Sequence, residues 1–102
     1  MTTPYTTEEV REKVIKHIDV MVDFWANESR AETTKAKLDG LAFSILTMLD
    51  GCAMDLLGFK VIADPHPSDK QFCIDNGERY YDPQGEDIAG SLHETWAQRK
   101  QS

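Results

Sequence analysis

A chain of 102 residues with 40% hydrophobic and 28% charged side chains can bury one core but not two, so a single compact domain over residues 1–102 is expected. Its formal net charge of −7, with eleven scattered basic residues, excludes docking on a nucleic-acid phosphate backbone, which requires clustered Lys and Arg. No apolar run approaches the ~20 residues of a membrane span, and the opening MTTPYTTEEV has neither the basic start nor the apolar stretch of a secretory signal, so a cytoplasmic protein outside the membrane is expected.

Thr6 followed three residues later by Glu9 is a capping-box pattern, and Val10, Val14, Ile18, Met21, Val22 and Trp25 then recur at helical spacing. These residues predict an amphipathic helix over 7–26. Asn27, Glu28 and Ser29 interrupt it, and a second helix over 31–50 carries Leu38, Leu41, Ala42, Ile45, Leu46, Met48 and Leu49 before Gly51 stops it. Its apolar face is wider than one stripe, the mark of a central helix packed on more than one side. Gly40 costs about 1 kcal/mol there relative to Ala, which predicts a close helix crossing at that point.

The period then changes. Residues 59–63 form a short β-rich run stopped by Pro65, and residues 79–82, with Tyr80 and Tyr81, are the expected partner strand. Ser68 or Asp69 is placed to cap a short helix ending near Asp75, with Asn76 and Gly77 as its terminator. Asp87 reads as the cap of a C-terminal helix in which Ile88, Leu92, Thr95 and Trp96 share a face, while Arg99 and Lys100 favour its C-terminal dipole. The expected fold class is α+β and mainly helical: three to four helices packed around a central one, with a small two-stranded antiparallel β element. Cys52 and Cys73 lack CxxC spacing and are expected to be free thiols, at least one of them buried.

The segments KLDGLAFSILTMLDG, GFKVIADPHPSDKQF, NGERYY and DIAGSLHETW together resemble a group of small uncharacterised proteins of bacterial and phage or prophage genomes. The resemblance covers roughly the last two thirds of the chain and brings with it no activity or binding residue. It implies a compact accessory protein of phage or prophage type.

The residues themselves offer two chemistries. Between 64 and 87 the acids Asp64, Asp69, Asp75, Glu78, Asp82, Glu86 and Asp87 face only Lys70 and Arg79, which concentrates −5 of the −7 there. That segment reads either as a docking surface for a basic protein partner or as a solvated face. The candidate binding residues are Asp64, His66, Asp69, Glu78, Tyr80, Tyr81, Asp82, Glu86, Asp87 and His93. The second chemistry is a metal-assisted hydrolase built on His66, held between Pro65 and Pro67, and His93 on the last helix with a nearby carboxylate. His93 and Glu94 are adjacent and point to different faces, and HExxH is absent. The two prolines also have a purely structural reading, in which Pro65 ends the strand, Pro67 sets up the next helix, and His66 is held by neighbours from the last helix.

Other signatures fail. Residues 75–78 lack the ligand pattern of a calcium loop, and no glycine belongs to GxGxxG or a phosphate-binding loop. Cys73 lies in an apolar Phe72-Cys73-Ile74 run that suits packing rather than activation. No cofactor or bound metal is therefore expected. The functional expectation is a small acidic accessory protein, phage- or prophage-encoded, that inhibits or regulates a host protein by binding it; the hydrolase is the alternative.

Overall fold

The capping box at the first helix forms as written: Thr6 Oγ1 accepts from the Glu9 amide at 3.1 Å, and Glu9 Oε1 accepts from the Thr6 amide at 2.8 Å. In this computed structural model, which describes residues 3–53 and 56–101, that cap starts α1 (Thr7–Ala26). Three more helices follow: α2 (Thr34–Leu49), α3 (Asp69–Asp75) and α4 (Leu92–Gln101).

The second helix starts at Thr34 rather than residue 31, because the intervening residues are tied into a turn. The Glu28 carboxylate accepts from the Arg30 backbone and guanidinium, the Glu28 carbonyl accepts from the Ala31 amide, and Ala31 is buried. The Arg30 side-chain and backbone hydrogen bonds push the Glu28 carboxyl down to about 2. Thr33 then supplies the cap, its Oγ1 accepting from the Ala36 amide at 3.0 Å.

Trp25 joins the first two helices. Its ring lies over Gly40, where an added Cβ would come within 2.5 Å of the ring, and its Nε1 donates to Ser44 Oγ at 2.8 Å. The close crossing expected at Gly40 is therefore present. Lys37 completes the joint by donating from Nζ to the carbonyls of Trp25, Ala26 and Glu28, three acceptors at the end of α1. Within the helical framework α2 packs against both α1 and α4.

The expected β element is absent, so the α+β assignment is corrected to an all-helical one. Among the described residues no strand forms, and the only pairing is an isolated antiparallel bridge between Ile62 and Asp87. Ile88 N–H donates to the Val61 carbonyl at 2.8 Å, but the Val61 N–H donates to the Asp87 carboxylate rather than to a backbone carbonyl. A side chain thus takes the place of the next rung. The expected partner, residues 79–82, is engaged elsewhere: Lys70 of α3 pairs with Asp82 at 3.1 Å and sits over the Tyr80 ring. Asp87, whose carboxylate accepts from the Val61 and Ala89 amides, is not the cap of the last helix, which begins five residues later.

Only Met21, Ala31, Met48 and Cys73 form the buried apolar set among the described residues. The radius of gyration is 17.6 Å, where a compact chain of this length has about 13 Å.

Candidate functional site

Asp50 closes α2 and its side chain is fully buried. The carboxylate reaches across to the start of α4, accepting from the Gly90 amide at 2.5 Å, the His93 amide at 2.9 Å and the His93 ring Nδ1 at 2.5 Å. It therefore serves as the N-terminal cap of a helix forty residues away in sequence. Burial by itself would raise the Asp50 carboxyl, but the donors from His93, Gly90 and Leu92 outweigh burial and hold it well below the usual carboxylate range. The His93 ring meets Phe43 edge-on at 5.6 Å, and its Nε2 lies 4.0 Å from Glu94 Oε1. Asp50 carried no motif. The available signal was an acid at the negative end of a helix dipole, an unfavourable place unless another group claims the charge.

His66 takes its hydrogen bonds from its own loop. Its Nδ1 pairs with Ser68 Oγ at 2.8 Å and accepts from the Ser68 amide at 3.2 Å, while its carbonyl accepts from the Asp69 amide. The Ser68 side chain is thereby spent on His66 and makes no cap hydrogen bond to α3. His66 and His93 are thus held by different partners. Among the described residues no group of three or more His, Cys, Asp or Glu side chains is placed to hold a metal ion.

The acidic segment is the other candidate. Asp64, Asp69 and Glu78 are exposed, and Asp69 opens α3. The turn after α3 is closed by Gly77 at φ +67°, a value that suits glycine, with the Glu78 amide donating to the Cys73 carbonyl at 2.8 Å. Tyr81 donates to the Glu86 carboxylate at 3.3 Å, which also accepts from the Gln84 amide at 2.8 Å. The Gln84 amide and the Tyr81 hydroxyl help keep the Glu86 carboxyl low, and the Val61 and Ala89 amides do the same for Asp87. Both acids are thus kept charged while they shape the loop. Asp82 is paired with Lys70.

Within this charged segment large apolar groups stand in solvent: Phe72 is 61% exposed, Ile74 48%, Tyr80 46% and Tyr81 48%. Cys73, between the first two, is buried, and burial raises its thiol, so it packs rather than reacts. Cys52 is an exposed free thiol. A shallow concavity of about 330 Å³ lies on α1 between Lys13, Lys16, His17, Val20 and Leu56, and none of the sequence-predicted site residues lines it. Among the described residues no helix is long and apolar enough to cross a membrane. Comparison with protein-family models, with curated proteins and with solved structures finds no match for this chain.

Proposed function

We propose that this chain is a small cytoplasmic accessory protein of phage or prophage type that acts by binding a host protein through residues 64–87. The observation that carries the reading is the set Phe72, Ile74, Tyr80 and Tyr81, all substantially exposed inside a segment of net charge −5. Aromatic and aliphatic groups surrounded by charge are what interface centres and rims are made of. The partner that fits has an apolar patch bordered by Lys and Arg, and its approach is steered by the negative potential.

The test is capture from the native host with wild-type protein and with a triple charge reversal, Asp64→Lys, Asp69→Lys and Glu78→Lys. These three positions are exposed, so the reversal is directed at the surface rather than at packing. The wild-type complex should loosen as salt rises, since exposed charges are screened over ~10 Å at 0.1 M. The reversed protein should lose the partner, and Tyr81→Ala should weaken it by about tenfold or more if the ring is a central anchor. A partner that the reversed protein still captures at full yield would sink the reading.

A further inference from the structure

Lys13, Lys16, His17 and Val20 stand at positions i, i+3, i+4 and i+7 of α1, so they share one face of the helix. That face and Leu56, from the segment after α2, line the concavity of about 330 Å³. Its volume is at the lower end of the range of small-molecule sites, about 300–1,000 Å³. Leu56 is held by a turn, its amide donating to the Ala53 carbonyl at 3.3 Å. Two separate parts of the chain therefore build the hollow. Its lining combines two ammonium groups and an imidazole with two aliphatic side chains.

The charges there are not consumed within the chain. Lys13 Nζ lies 4.8 Å over the Tyr5 ring, a contact that steadies the side chain without neutralising it. Among the described residues no carboxylate forms an ion pair with Lys13 or Lys16. The acids at the start of α1 are engaged elsewhere, Glu8 with Arg11 and Glu9 with the Thr6 amide. Glu9 and Glu12 line a neighbouring concavity of about 320 Å³ with Tyr5 and the same two lysines, but they do not line this one. Like charges one helical turn apart repel, and a bound anion relieves that repulsion.

The lining also selects among anions. A phosphate monoester carries about −1.5 to −2 charge at pH 7 and three strong acceptor oxygens, which matches two ammonium groups and a ring N–H. A carboxylate brings one charge and two oxygens. Val20, 59% exposed, and Leu56 offer apolar cover to a body attached to the phosphate. We infer that this concavity binds a small phosphate monoester with an apolar body, the phosphate between Lys13, Lys16 and His17 and the body against Val20 and Leu56. None of these residues belongs to residues 64–87, so the site is independent of the proposed partner binding.

Phenyl phosphate titrated calorimetrically into the full chain is the direct probe, and one molecule per chain should bind with a Kd of about 1 mM or tighter. Lys16→Gln, at an exposed position, should weaken binding at least ~10-fold, while Lys60→Gln, exposed and outside the concavity, should leave it unchanged. Leu56→Ala should bring phenyl phosphate down toward inorganic phosphate, and benzoate should bind the wild-type chain at least ~10-fold more weakly than phenyl phosphate. Lack of saturation, or equal loss in Lys16→Gln and Lys60→Gln, would overturn the inference. So would benzoate or inorganic phosphate binding as tightly as phenyl phosphate. Co-sedimentation with phosphatidic acid vesicles tests the lipid source of the same headgroup, and binding to vesicles without binding to phenyl phosphate would likewise overturn it.

Discussion

Asp50 carries more structural consequence than any other acid among the described residues. One carboxylate satisfies the Gly90 and His93 amides and orients the His93 ring, so its removal strands several donors at once. Asp50→Ala should lower stability by about 2–4 kcal/mol, more than an exposed cap and near the range for breaking a buried charged contact. The pH dependence has a definite sign. Because the folded carboxyl lies below its unfolded value, its contribution is complete above the unfolded pKa of ~3.9 and is lost as pH falls below it. Thermal melts at fixed chain concentration should show the gap between wild type and Asp50→Ala narrowing on acidification below about pH 4. An unchanged gap would remove the carboxylate from the account. Gly40 illustrates the opposite kind of residue, one that matters for what it lacks. Ala at an exposed helical site would gain about 1 kcal/mol, but here its Cβ meets the Trp25 ring, so Gly40→Ala should instead destabilise by about 1–3 kcal/mol and perturb Trp25 fluorescence.

Two helix ends in this protein, the C-terminus of α1 and the N-terminus of α4, are finished by residues from another helix. Lys37, in the first turn of α2, closes three carbonyls at the end of α1, and Lys37→Met should cost about 1 kcal/mol while leaving α2 itself intact. The loss would appear as faster amide exchange in the last turn of α1, and a variant as stable as wild type would contradict the assignment. Asp87 plays a similar part for residues 59–63, offering its carboxylate where a neighbouring strand would offer a carbonyl. Asp87→Ala should leave the Val61 amide open to solvent and raise its hydrogen-exchange rate well above that of Ile88, whose backbone hydrogen bond to Val61 survives in principle. Equal protection of Val61 in both proteins would mean that a second acceptor serves it.

At the scale of the molecule, the net charge of −7 decides how the proposed partner binding responds to salt. The partner binding proposed through residues 64–87 rests on attraction between unlike charges and should weaken as salt rises. Capture yield measured across a salt series checks this. A yield that does not fall as salt rises would remove the charge of residues 64–87 from the account.

Local information sufficed wherever an element is defined by its own residues. The Thr6 to Glu9 box set the start of α1, the apolar recurrence to Trp25 set its extent, and Asn76 with Gly77 ended α3, because these hydrogen bonds span only a few residues. Gly40 also announced its helix crossing, since a costly residue inside a helix needs a compensating contact. Pairings over long separations were decided by the tertiary structure alone. The β-rich run at 59–63 formed no strand because residues 79–82 were drawn to Lys70 of α3, leaving Asp87 to take the Val61 amide. The acid that caps α4 is Asp50 rather than Asp87, a choice set by the distance between helix ends. His93 settled on Asp50, forty-three residues away, because folding brings that carboxylate within hydrogen-bond reach of its ring, whereas His66 took Ser68, two residues along its own loop.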